Sequence, residues 1–120
     1  MDTIQVSRMA LAVRRSGERF LRRIFTPVEL TRSNDINFLS TRFAAKEAFF
    51  KALGTGLAGG ARWHDLELPP GEGKALVPVV TGRSLDLLAD RRVLVSVSSS
   101  GTTAVAVVVI TTVTEDGVGE

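Results

Sequence analysis

Residues 37–54 read NFLSTRFAAKEAFFKALG, and whether they form one long helix decides the fold. Ala44, Ala45, Ala48 and Ala52 favour the helix, and Gly54 is a natural C-terminal stop. The spacing predicts a helix from about Asn37 to Leu53. Toward the N-terminus a second helical pattern runs from Ser7 to about Ile24. Met9, Val13, Phe20, Leu21 and Ile24 supply its apolar stripe, and Ser16-Gly17 marks a break or kink. Arg8, Arg14, Arg15, Arg19, Arg22 and Arg23 take its polar positions. Before it, Asp2 to Val6 reads as the tail of a short strand or the entry to the helix. After it, Thr26 caps a short turn, with Pro27 at the first position and Glu29 three residues beyond the cap.

Toward the C-terminus the texture changes. Asp65-Leu66-Glu67-Leu68 alternates, Pro69-Pro70-Gly71 turns the chain, and Ala75 to Val80 is β-rich. Ser84 to Ala89 reads as a short helix. Val93 to Val97 and Thr103 to Val113 read as strands joined through Ser98-Ser99-Ser100-Gly101-Thr102, an antiparallel hairpin. Val105 to Ile110 is almost continuously apolar, so burial on both faces is expected there. Helices come first and strands later, with no βαβ alternation. The predicted class is α+β, with N-terminal helices packed on a mainly antiparallel sheet.

The chain has 120 residues, 44% of them apolar and 23% charged, as expected of one folded domain. That domain is assigned to residues 1–113, and residues 114–120 to a fraying acidic tail. Cysteine is absent, which removes disulfides, thiolate metal sites and cysteine nucleophiles together. No apolar run approaches the length of a membrane span, and a signal peptide's apolar region is lacking at the N-terminus, so a cytoplasmic protein is expected. Residues 1–60 carry ten Lys/Arg against five Asp/Glu, whereas residues 61–120 carry five against eight. The basic half calls for an anionic partner.

Several motifs carry little chemistry. His64 is the only histidine, and with no cysteine it builds no metal site; a structural or exposed role is expected. Ser98, Ser99 and Ser100 have no base beside them in sequence and read as the hairpin turn. The glycines at 54, 56, 59 and 60 follow a helix, whereas a phosphate-cradling loop precedes one. The long helix is richer. Glu47 and Lys51 stand one turn apart on one face, as do Arg42 and Lys46, and Asp2 adds a second carboxylate ahead of the arginine-rich helix.

In those residues the chain resembles holo-acyl-carrier-protein synthases, the small single-domain class of 4′-phosphopantetheinyl transferases. The resemblance is carried by Asp2 to Arg8, by Arg19-Phe20-Leu21, by Ile24 to Leu30, and above all by RFAAKEAFFKALGTG at 42–56. Trp63 to Glu67 and Val95 to Ser98 follow in the same order, so it extends to about Ile110. It implies transfer of the phosphopantetheine arm of coenzyme A to a serine of an acyl carrier protein of fatty-acid or polyketide biosynthesis. It further implies Mg2+, release of adenosine 3′,5′-bisphosphate, and a homotrimer with sites between subunits. Residue by residue, Asp2 and Glu47 are the implied metal ligands, and Glu47 and Lys51 the implied catalytic residues. Arg42, Lys46, Gly54, Thr55, Gly56, Ser98 and Ser99 fall at coenzyme A-binding positions. Arg8, Arg14, Arg15, Arg22 and Arg23 would face the acidic carrier protein.

Physical chemistry agrees with this assignment. Phosphoryl-type transfer needs positioning and charge neutralisation, which two carboxylates around a hard dication and a nearby lysine supply. The chain departs from the family pattern twice. Relatives carry a short strand ahead of the metal-binding aspartate, whereas Asp2 directly follows Met1. An untethered ligand with weakened metal affinity is therefore expected, or else an extension upstream of Met1. Ser99 stands where the family has a histidine, which would weaken a charge-assisted bond to phosphate. An alternative reading follows: a degenerate member that keeps the scaffold and carrier binding but has weak or no transfer. A nucleic-acid module built on the arginine helix is the weaker third reading, since no binding motif accompanies it.

Overall fold

The long helix is α2, Ile36–Leu53, and its ends follow the local chemistry. The Asp35 side chain accepts a hydrogen bond from Phe38 N at 3.0 Å, and Gly54 closes the helix at φ 91°, where glycine is favoured. Small residues at Ala44, Ala45 and Ala48 let the backbone lie close to a sheet, and Phe49, Phe50 and Leu53 fill the space beyond. The computed structural model describes residues 1–54, 57–71 and 75–112, so the expected tail at 114–120 and the boundary at 113 lie outside the described residues.

Asp2–Gln5 forms β1, followed directly by α1, Val6–Ile24, whose path breaks at Gly17 (φ 53°, ψ −135°) as expected from Ser16-Gly17. Thr26 and Glu29 make the expected reciprocal cap: Thr26 N donates to Glu29 Oε1 at 2.8 Å and Glu29 N to Thr26 Oγ1 at 3.3 Å. The strands β2 (Leu66–Glu67), β3 (Ala75–Leu76), β4 (Val79–Val80), β5 (Arg92–Ser99) and β6 (Thr103–Thr111) complete the chain, with α3 at Gly82–Leu88. They form a four-stranded sheet in the order β1-β6-β5-β3 and a two-stranded sheet β2-β4, every pair antiparallel. This is the α+β architecture. A main core lies between α2 and the larger sheet, and a second cluster of Met9, Ile24, Phe25, Phe38 and Leu39 joins α1 to α2.

Three local expectations are corrected. The β-rich run at 75–80 is two strands in two different sheets, parted at Val77-Pro78, because proline has no N–H for a ladder. Ser98 and Ser99 lie in β5 opposite Val105 and Ala104, and the turn proper is Ser100–Thr102, where Ser100 Oγ accepts from Thr103 N at 3.1 Å. The apolar run in β6 is not buried on both faces. Ala104, Ala106 and Val108 point into the core, whereas Val107 and Val109 are 41% and 47% exposed and Leu94 of β5 is 57% exposed. Strand side chains alternate, so a continuous apolar run has two apolar faces even when a single helix layer covers only one.

Asp65 holds α3 in place. Its Oδ2 accepts from Arg62 N at 3.1 Å, Ser84 N at 3.2 Å and Ser84 Oγ at 2.8 Å. Gly82 sits over this carboxylate at φ 63°, and a Cβ there would stand 2.7 Å from Asp65 Oδ1. Gly82→Ala is therefore expected to cost about 2 kcal/mol or more in a urea titration, from backbone strain and the displaced carboxylate together.

Candidate active site

The antiparallel pairing of β1 with β6, Asp2 opposite Ala106, brings the N-terminus alongside α2. Lys51 Nζ donates to Asp2 Oδ1 at 2.7 Å; the aspartate side chain is only 11% exposed, the lysine 70%. The expectation of an untethered Asp2 is thereby overturned. Strand pairing holds its backbone and Lys51 its carboxylate.

Asp2 and Glu47 line one cavity of about 400 Å3, together with Arg8, Phe20 and Phe43. Partial burial pushes the Glu47 carboxyl above its ordinary value, and the Asp2 charge pushes the same way, against weaker opposing pulls from Lys51 and Arg8. Asp2 holds the Lys51 ammonium above its usual value, chiefly through their hydrogen bond. Asp2 Oδ2 is buried and has no partner among the described residues. Two carboxylates with an orphaned oxygen between low-dielectric walls suit a small hard cation. No cluster of three or more His, Asp or Glu occurs among the described residues. Asp2 and Glu47 are the carboxylates that line the cavity, and Mg2+ is an ion that needs few protein ligands, since it keeps several waters and takes substrate phosphates.

Arg42 and Lys46 lie elsewhere on α2. Lys46 is fully enclosed: Nζ is 2.9 Å from Glu29 Oε1 and donates to Trp63 O at 3.0 Å and Leu66 O at 2.6 Å. Those partners use all three ammonium hydrogens. The expectation that Lys46 holds coenzyme A is therefore corrected, and the lysine is an internal cation tying α2 to Glu29, Trp63 and the start of β2. Burial pulls its pKa down, opposed by Glu29.

Glu29 also accepts from Leu68 N at 2.7 Å through its second oxygen. Sequence reasoning found its capping role and missed this one, because Lys46 and Leu68 are distant along the chain.

Arg42 is largely buried, stacked 4.1 Å over the Phe38 ring, with Nε donating to Leu68 O and Nη2 to Pro69 O. Its guanidinium still borders a cavity of about 310 Å3 with Arg32, Asn37, Ser98 and Ser99. Three of the expected coenzyme A contacts, Arg42, Ser98 and Ser99, are therefore brought together. That cavity excludes Asp2 and Glu47, and the carboxylate cavity excludes these three. Gly54 is exposed at the end of α2; Thr55 and Gly56 lie outside the described residues.

Arg8, Arg14, Arg15, Arg22 and Arg23 are all exposed along α1, and Gly17 divides them into two segments. Arg22 pairs with Glu18 at 3.3 Å, and with Arg23 it borders a cavity of about 590 Å3 beside Arg62, Trp63 and His64. His64 is exposed and its Nε2 donates to Arg22 O at 2.7 Å, the structural role expected of it. No helix among the described residues is long and apolar enough to cross a membrane.

A helical layer on an antiparallel sheet thus carries Asp2 and Glu47 on one cavity and Lys51 beside Asp2, and comparison with known proteins supplies the class, a transferase. The chain belongs to the 4′-phosphopantetheinyl transferase superfamily, whose family model matches residues 1–107. Its relatives place it among the holo-acyl-carrier-protein synthases. The Koribacter versatilis synthase is 39% identical over 117 residues, covering 92% of this chain and 94% of the relative. That of Desulforudis audaxviator is 42% identical over 113 residues, covering 88% and 86%. Among solved structures, Helicobacter pylori holo-acyl-carrier-protein synthase in complex with coenzyme A superposes with a TM-score of 0.79 at 26% identity, covering 91% of this chain and 96% of that one. The Neisseria meningitidis synthase gives 0.74 at 33% identity, covering 91% and 93%.

Proposed function

We propose that the protein transfers the 4′-phosphopantetheine arm of coenzyme A to a serine of an acyl carrier protein. The observation that carries this reading is the convergence of Asp2, Glu47 and Lys51 from opposite ends of the first 51 residues. The serine oxygen attacks the phosphorus that bears the arm, and the phosphoanhydride bond to the nucleotide breaks. Adenosine 3′,5′-bisphosphate leaves with the electron pair. Asp2 and Glu47 would hold Mg2+, which would neutralise charge on the diphosphate. Glu47, directly or through a water, takes the serine proton. Lys51, beside both carboxylates and largely exposed, offsets negative charge on the departing phosphate. Arg42, Ser98 and Ser99 receive the nucleotide end.

The two cavities are separate in one chain, and Val107, Val109 and Leu94 leave an apolar strip on the outer sheet face. Both features support a homotrimer in which one subunit's carboxylates meet the neighbour's Arg42 cavity. The exposed arginines of α1 would steer an acidic carrier protein into register. We place the enzyme in the cytoplasm, where coenzyme A and carrier proteins meet.

Incubating the protein with coenzyme A, Mg2+ and several apo carrier proteins is expected to add the mass of one phosphopantetheine arm to a carrier. Failure with every carrier overturns the reading. It would favour instead the degenerate member to which Ser99 alone still points, now that Asp2 is tethered.

A further inference from the structure

Asn37, in the first turn of α2, borders the same cavity as Arg32, Arg42, Ser98 and Ser99. Its Oδ1 is buried and has no hydrogen-bond partner among the described residues. Three neighbouring side chains donate elsewhere. Thr41 Oγ1 donates to Phe38 O at 2.8 Å, Arg32 Nη2 to Asp35 Oδ2 at 2.8 Å, and the Arg42 guanidinium to Leu68 O, Pro69 O and Thr41 Oγ1. A buried acceptor left unpaired destabilises the free protein, and such groups persist where a ligand completes them.

The cavity as a whole suits phosphate, since Arg32, Arg42, Ser98 and Ser99 are among the residues that line it. Asn37 adds a requirement that phosphate cannot meet. A phosphate dianion has no hydrogen to give, whereas Oδ1 needs a donor. The nucleoside end of coenzyme A carries both features. Its 3′-phosphate is flanked by a ribose 2′-hydroxyl, and its adenine bears a 6-amino group. The pantetheine arm, which also bears N–H groups, goes to the carboxylate cavity in the proposed reaction.

We infer that Asn37 is a specificity residue for the donor substrate, its Oδ1 accepting a hydrogen bond from a hydroxyl or amino group on the nucleoside end of coenzyme A. The inference rests on the reading that this chain uses coenzyme A. It adds to the binding set a residue outside every block that carries the family resemblance.

Calorimetric titration of the full chain with coenzyme A, its 2′-deoxy analogue and its 6-oxo (hypoxanthine) analogue tests it, with Asn37→Leu and Asn37→Ala run beside the unmodified protein. One analogue is expected to bind the unmodified protein about tenfold more weakly than coenzyme A, and which one identifies the donor group. Both variants are expected to bind coenzyme A about tenfold more weakly, and to bind that analogue no more weakly than coenzyme A itself. Free Asn37→Leu is expected to melt at or above the temperature of the unmodified protein, because it no longer buries an unpaired acceptor. A merely structural asparagine would lower the melting temperature and leave the analogue preference intact.

Variants that bind coenzyme A as tightly as the unmodified protein, or that keep the full analogue penalty, overturn the inference and leave the functional reading standing. An unmodified protein that binds no coenzyme A overturns both.

Discussion

Lys46→Met is expected to leave much of the protein unfolded at 37 °C. Lys46 Nζ sits 2.9 Å from Glu29 Oε1 with both side chains fully shielded from water. Removing the ammonium leaves a buried carboxylate without its counter-charge, which costs about 3–5 kcal/mol in such settings. Total stabilities run only to about 5–15 kcal/mol. Two backbone carbonyls, Trp63 O and Leu66 O, also lose their donor.

Urea titration followed by circular dichroism measures the loss. Adding Glu29→Gln is expected to recover part of it by removing the stranded charge. Full recovery is not expected, because Glu29 also receives Thr26 N and Leu68 N. A Lys46→Met protein that folds normally and merely binds coenzyme A less well would return this lysine to the ligand site.

Glu47→Gln is expected to abolish transfer, by about 10³-fold or more, since it removes a metal ligand and the proposed base at once. Its effect on the metal-free fold runs the other way. The folded Glu47 carboxyl lies above its ordinary value because burial and the Asp2 charge disfavour ionisation. In the unfolded chain the group ionises at the ordinary value near 4.5. Between those two values the folded state binds the additional proton. The stability this provides is complete below the unfolded value and is lost as pH rises through the folded one.

Near neutral pH, therefore, the ionised Glu47 destabilises the metal-free protein and glutamine does not. Metal-free Glu47→Gln should melt above the unmodified protein at pH 7 and level with it near pH 4. Mg2+ should raise the melting temperature of the unmodified protein and leave the variant unmoved, because only a state that binds the ion gains from it. A variant that melts lower at pH 7, or that Mg2+ still protects, would remove Glu47 from the cation site.

Both experiments concern one helix, and α2 shows how unevenly its roles could be read from the chain. The helix itself was legible from its alanines and Gly54, and the Glu47–Lys51 face from their spacing. The kink at Gly17 and the Thr26–Glu29 cap were legible for the same reason: each depends on residues a few positions apart. Lys46 was misread because a lysine inside an alanine-rich motif looks the same whether it faces a ligand or a buried glutamate. Ser98 and Ser99 were placed in the turn because small polar residues favour turns. The ladder with β6 carries the strand two residues further.

The order of helices and strands and the α+β class were determined by sequence alone. Periodicity, capping and motif spacing are local properties, and local properties survive in a linear text. Which acids meet, which cation is interior and which face of β6 stays bare were decided only by the tertiary structure. Each depends on segments tens of residues apart closing on one another, and burial sets the energy of a charge only once that closure has excluded water.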